Sequence, residues 1–147
     1  MGGVSRREFS LVGQTGAEAI LAAFQRARDT CRDYPAWLDF GCGCGRIARF
    51  LALSPSIRDL SGVDVDTALL DWTRRHIPGR FETMSPVPPL VFEAEAFDVV
   101  YAASIFTHYT EEEQRVWLAE LLRILKPGGL LVATTLSPSQ AEQFGSL

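Results

Sequence analysis

No stretch of about 18 consecutive apolar residues occurs in this 147-residue chain, so no helix able to cross a bilayer is expected. The opening MGGVSRREFS does not carry the apolar core of a secretory signal. Cysteine is scarce: of the three present, Cys42 and Cys44 share one short loop, which makes no disulfide framework and points to a reduced, cytoplasmic protein. With Cys31, His76 and His108 as the only other soft ligands, no set stands at the spacing of a zinc site, and no metal is expected. A basic excess is absent as well. Lys and Arg number 14 against 18 Asp and Glu, a net charge of −4, which argues against nucleic acid as a partner because that binding rests on neutralising phosphates. The one basic cluster, Arg74, Arg75, His76 and Arg80, reads as the solvated end of a helix. At 47% apolar and 22% charged the chain is not disordered, and its length suits a single domain over residues 1–147.

What is present is an alternation of strand and helix signals. Residues 1–14 carry no clear pattern. Thr15 and Glu18 form a capping-box signature, followed by Ile20, Leu21, Phe24, Ala27 and Cys31 at helical spacing, with Pro35 as the stop. Ala36–Phe40 reads as a strand, Arg46–Leu53 as a helix, Leu60–Asp64 as a second strand, and Thr67–Ile77 as a helix capped by Asp66 and ended by Pro78-Gly79. Arg80–Met84 reads as a short strand and Ser85–Glu95, with Pro86, Pro88 and Pro89, as a loop. Phe97–Ile105 is a continuous apolar strand. Thr110 and Glu113 cap a helix whose buried face is expected to be Val116, Leu118, Leu121, Leu122 and Leu125. Lys126–Gly129 then reads as a tight turn into a last strand, Leu130–Leu136. This order predicts an α/β fold with a mainly parallel, doubly wound sheet and helices on both faces. Ligands of such sheets bind at the carboxyl ends of the strands, where strand order reverses.

The first strand ends there in Asp39–Arg46, DFGCGCGR. A phosphate-cradling loop needs Gly-Lys-Ser/Thr at its end, and none follows. A dinucleotide fingerprint, G-x-G-x-x-G, fits Gly41 and Gly43 but meets Arg46 at the third place, with Gly45 one residue early; a nicotinamide-dinucleotide domain is thereby disfavoured and stays open as a third reading. Glycine at every second position after a carboxylate suits close backbone approach to a ligand carrying an amino-acid moiety.

The loop and its flanks resemble motif I of class I S-adenosylmethionine (SAM)-dependent methyltransferases. Further likeness lies in Asp64 at the end of strand two, in FDVVYAASIFTHY, and in WLAELLRILKPGGLLVATT. FGCGCGR, VPPL, Ser104–His108 and SLVGQTG resemble one bacterial subgroup, so the likeness covers roughly residues 5–136. It implies a Rossmann-like sheet of order 3-2-1-4-5 and S-adenosyl-L-methionine as cofactor, with S-adenosyl-L-homocysteine as product. The family sheet normally continues past strand five with another helix and an antiparallel strand pair, so the sequence reads either as a fragment or as a minimal version. Strand five is then expected as an open edge that invites a second copy or a partner chain. The resemblance also implies site roles. Asp39 faces the cofactor ammonium, and Gly41, Cys42, Gly43 and Gly45 cradle the methionine end. Asp64 takes the ribose hydroxyls, Val65 counts among the cofactor-binding residues, and Ala103 lies at the tip of strand four. Met84 stands in the segment after strand three where many relatives carry an acidic or amide residue near the adenine, and is expected to pack on that ring instead. Gln14 belongs to an N-terminal segment, residues 1–14, that folds over the cofactor. Read from its place just past strand four, His108 is the candidate general base, with Tyr109 behind it, or else a structural histidine bonding the loop before the Thr110 cap. No Asp/Asn-Pro-Pro-aromatic motif follows strand four, where the chain reads AASIF, so O-methylation of a small-molecule acceptor is favoured over methylation of nitrogen. The alternative is a SAM-binding module without turnover of its own.

Overall fold

The computed structural model describes residues 5–27 and 35–135. Five strands form one sheet in the order β3-β2-β1-β4-β5, where β1 is Ala36–Phe40, β2 Asp59–Asp64, β3 Arg80–Thr83, β4 Phe97–Ala102 and β5 Leu125–Ala133. Every pairing is parallel. Strand order reverses at β1, so the crevice expected for a ligand opens between the tips of β1, β2 and β4. The helices are α1 (Arg6–Arg26), α2 (Ala48–Leu51), α3 (Thr67–His76) and α4 (Glu111–Ile124).

Alternation along the strands divides the core in two. Trp37, Val99 and Tyr101 pack on one face with Ala17, Ile20 and Phe24 of α1, Leu51 of α2 and Leu70 of α3. Leu38, Phe40, Val63, Val100 and Ala102 pack on the other with Trp117, Leu121 and Ile124 of α4. Glu120 is also buried on that side, because its carboxylate accepts the Leu90 N–H at 2.7 Å and pairs with Arg123. Those bonds tie the proline-rich loop to α4.

Several boundaries differ from the sequence reading, each for a physical reason. The first helix begins at Ser5, which makes a full capping box with Glu8, so Thr15 lies in the middle of the helix and caps nothing. Two glycines, poor helix formers, conceal this from propensity. Gly13 is required by packing, since a Cβ there would run into the Arg46 carbonyl oxygen. The second helix is only four residues long, because residues 43–47 are spent on the turn that leaves the glycine loop. The expected buried face of α4 is wrong at Val116, Leu118 and Leu122, which are 47%, 41% and 54% exposed. The face is set instead by Trp117, whose ring meets Phe40 and stacks parallel to Tyr109. Lys126–Gly129 is no separate turn: β5 starts at Leu125, bulges at Gly128 with φ 77°, and resumes pairing at Leu130. Strand β4 ends at Ala102, short of Ile105. Cys31 and Leu136 lie outside the described residues. The caps at Asp66 and Thr110 stand as read.

Candidate functional site

The loop after β1 turns back on itself through three left-handed residues, Gly41, Gly43 and Gly45, with φ of 76°, 51° and 68°. Side chains are disfavoured in that region, which is why glycine recurs there. Space agrees: a Cβ on Gly41 would meet Ile105 Cδ1 and one on Gly45 would meet Ile77 Cδ1. The N–H groups of Gly41 and Cys42 both donate to the Val63 carbonyl, at 2.8 and 2.9 Å. The loop is thus pinned to β2 before it reaches α2.

Asp64, at the tip of β2, closes the same side. Its carboxylate accepts the Gly43 N–H at 2.6 Å and the Asp66 N–H at 2.9 Å. Asp66 keeps its own role, accepting the Ala68 and Leu69 N–H groups at the start of α3. Val65 follows Asp64 and is half exposed. Met84 lies beside it, buried, with its N–H donating to the Asp64 carbonyl at 2.9 Å.

Asp39 is buried at 4% exposure and stands in register with Gly62 of β2 and Tyr101 of β4. Burial raises its pKa to about 7; the Tyr101 hydroxyl opposes that rise, Asp64 adds to it, and Arg46 opposes it. The hydroxyl and carboxyl influence each other, yet the tyrosine Oη closes no hydrogen bond of good geometry. Burial likewise raises the Cys42 thiol far above its ordinary value, reinforced by Asp39 and Asp64, so the thiol is inert as a nucleophile.

At the tip of β4, Ala103 is half-buried and Ser104 holds a positive φ of 61°, with its N–H donating to Thr134 Oγ1 at 2.6 Å. The short 3-10 turn Phe106–His108 follows. His108 is exposed there, while Tyr109 packs edge-on to Phe106. Burial raises the Tyr109 pKa, and the carboxylates of Glu113 and Asp64 add to the rise. Gln14 is exposed on α1 and donates to Glu18 at 2.9 Å, one residue beyond the point where Gly13 packs on the loop. Among the described residues no group of three or more His, Cys, Asp and Glu could hold a metal ion.

The structure therefore brings together Asp39, the glycine loop, Asp64, Val65 and Met84 at three adjacent strand tips, with Ala103 on the fourth. It leaves the Gln14 side chain engaged on its own helix. The sequence reading missed Tyr101, hidden as one more apolar-strand residue, and Ser104, whose backbone conformation has no sequence signature. Chemically, the crevice offers a buried carboxyl suited to an ammonium, a second carboxylate suited to vicinal hydroxyls, and backbone that a ligand can approach closely. That donor set fits a sulfonium nucleoside with an amino-acid end.

Comparison with known proteins agrees. Residues 38–129 match the family model described as a methyltransferase domain. The chain is 34% identical over 107 residues to phthiotriol/phenolphthiotriol dimycocerosates methyltransferase 1 of Mycobacterium ulcerans, covering 69% of this chain and 38% of that protein. It is 26% identical over 145 residues to malonyl-[acyl-carrier protein] O-methyltransferase of Salmonella typhimurium, covering 85% and 56%. The chain thus spans 38% to 56% of the length of these relatives. Among solved structures, a TehB-like SAM-dependent methyltransferase from Corynebacterium glutamicum superposes with a TM-score of 0.61 at 25% identity, over 84% of this chain and 71% of that one. The PH0226 protein of Pyrococcus horikoshii shares the fold with a TM-score of 0.70 at 21% identity, over 88% and 59%. The glycine crevice, the 3-2-1-4-5 sheet and the match over most of the chain converge: this protein belongs to the methyltransferase-domain family of class I fold, whose cofactor is S-adenosylmethionine.

Proposed function

We propose that the chain is a single SAM-binding domain that transfers a methyl group to a small-molecule acceptor, with an oxygen as the favoured methyl-accepting atom. The observation that carries this reading is the pair of carboxylates, Asp39 and Asp64, flanking a loop with three left-handed glycines. In the proposal Asp39 faces the ammonium, and the backbone of Gly41, Cys42, Gly43 and Gly45 receives the methionine end. Asp64 accepts from the ribose hydroxyls with the lone pairs left over from Gly43 and Asp66. Val65 and Met84 flank the adenine, Ala103 lines the β4 side, and Gln14 reaches the crevice by exchanging its bond to Glu18.

The cofactor supplies an electrophilic methyl group on a positively charged sulfur, so the chemical step is an in-line displacement. The chain's part is to hold donor and acceptor at near-attack distance and to exclude water. His108, exposed beside the β4 tip, takes the proton from an acceptor hydroxyl. An acceptor that arrives already ionised needs no base. The reading places the enzyme in the cytoplasm, without nucleic acid as a partner.

A second reading is a SAM-binding domain that turns over only with a partner segment. Its support is the half-buried state of edge strand β5 on both faces, Leu130 and Val132 toward the α1 side and Leu131 toward the α4 side. A partner chain or second copy at that edge would cover them.

Thermal melts with SAM, S-adenosylhomocysteine and NAD test the cofactor, because a ligand that binds only the folded state stabilises it. Stabilisation by NAD alone would overturn both readings. Release of S-adenosylhomocysteine with hydroxyl, carboxyl and amine acceptors tests turnover, and SAM binding with a blank panel would favour the second reading.

A further inference from the structure

Among the described residues, buried side-chain donors without a hydrogen-bond partner are Trp37 Nε1 on β1, Tyr101 Oη on β4, and Nε and Nη2 of Arg49 on α2, whose guanidinium lies over the Phe9 and Phe50 rings. Tyr101 is wholly buried and stands in register beside Asp39, on the sheet face that both share with Trp37. Leaving a buried hydroxyl unpaired is costly, and such a group in a native fold calls for an explanation. We propose that Tyr101 is a positioning residue for the Asp39 carboxylate: its hydroxyl donates to Asp39 and holds that side chain aimed at the ligand ammonium.

The inference rests on the reading of Asp39 as the ammonium's partner. The groups acting on Asp39 come from the neighbouring elements: Tyr101 from β4, Asp64 from β2, and Arg46 from the loop. Of these, Tyr101 is the largest influence favouring the charged carboxylate against burial. Its own proton is secure, because burial beside Asp39 raises the phenol well above its ordinary value. The hydroxyl is therefore a donor throughout the working pH range, and a donor to a carboxylate makes a charge-assisted bond. The nearby face of α1 contributes the apolar residues Ala17, Ile20, Leu21 and Phe24 to this cluster.

Tyr101→Phe keeps the shape and removes the donor. SAM affinity measured by calorimetry from pH 5.5 to 9 should follow a bell. The acid limb belongs to Asp39 and the alkaline limb to the α-amino group of SAM itself, which titrates near pH ~8. In Tyr101→Phe the acid limb moves up by about one unit, giving roughly tenfold weaker binding on that limb, while the alkaline limb stays. Tyr101→3-fluorotyrosine, a stronger donor of nearly the same shape, moves the acid limb the other way. The carboxyl carbon resonance of Asp39, followed by NMR in the ligand-free protein, should shift its midpoint in step. An unmoved Asp39 titration, or a uniform fall in affinity at every pH, overturns the role given to Tyr101. A moved titration with an unchanged affinity profile instead overturns Asp39 as the ammonium's partner, and the inference falls with it.

Discussion

The Gly43 N–H donates to Asp64 Oδ2 at 2.6 Å, tying the loop that leaves β1 to the tip of β2. One carboxylate thereby shapes the loop and faces the crevice, so its loss should be felt in both binding and fold.

Asp64 and Asp66 stand two residues apart and should separate cleanly. Asp64→Ala is expected to lose about 1.5–3 kcal/mol of SAM affinity, the scale of hydrogen bonds to a charged group. Asp66→Ala should cost about 1 kcal/mol of stability through the lost α3 cap, with affinity nearly unchanged. Calorimetric titration of both variants, beside their denaturant midpoints, decides it; equal affinities would remove Asp64 from the ribose.

Asp39 makes stability depend on pH. Its folded pKa is about 7, above the ordinary value of 3.8, because the site is buried. Between those values the folded chain keeps a proton that the unfolded chain has released. This contribution is therefore fully present at pH below ~4, and stability falls by about 1.4 kcal/mol per unit as pH rises, until Asp39 ionises near neutrality. Asp39→Asn cannot ionise. Its melting temperature should exceed the wild type's at pH 8, with the gap closing toward pH 5, while SAM binding weakens. A gap that stays constant with pH would contradict the burial argument.

Gly13→Ala sets helix propensity against packing. Alanine favours the helix by about 1 kcal/mol. The new Cβ, however, meets the backbone carbonyl of Arg46, which cannot rotate away as a side chain could. Overpacking of this kind costs about 1–3 kcal/mol, so packing should win and the variant should melt earlier. Increased stability in chemical denaturation would show that α1 does not rest on the loop.

Glu120→Ala should destabilise by about 2–3 kcal/mol, because the buried Leu90 N–H loses its acceptor and Arg123 its partner. Arg123 holds the Glu120 carboxyl below the usual range. The stabilisation is accordingly present above pH ~4.5 and lost as pH falls through the lower folded value. Melts of both proteins from pH 3 to 7 should converge at the acid end.

Much of this architecture was legible without coordinates. Four of the five strands begin within one residue of their expected places, because the loops before them are marked by Gly and Pro, whereas β5 begins at Leu125, five residues ahead of the expected Leu130. The Asp66 and Thr110 caps were legible for the same local reason. Ser5 and Glu8 carry the very signature assigned to Thr15 and Glu18, and the structure uses the earlier pair. Gly13 and Gly16 obscured that choice, because close packing, not propensity, accounts for Gly13. Helix α4 is apolar on more than one side, so its pattern left the buried face undecided until Trp117 met Phe40.

Local chemistry therefore prescribed where the chain turns, where it extends, and that a glycine bend just after the Asp39 carboxylate would end the first strand. Those features depend on neighbours a few residues away. The pairing of Asp39 with Tyr101, 62 positions later, and the inward aim of Glu120 belong to another level. Strand register and helix rotation are settled by contacts far apart in the chain, and no local window contains both partners.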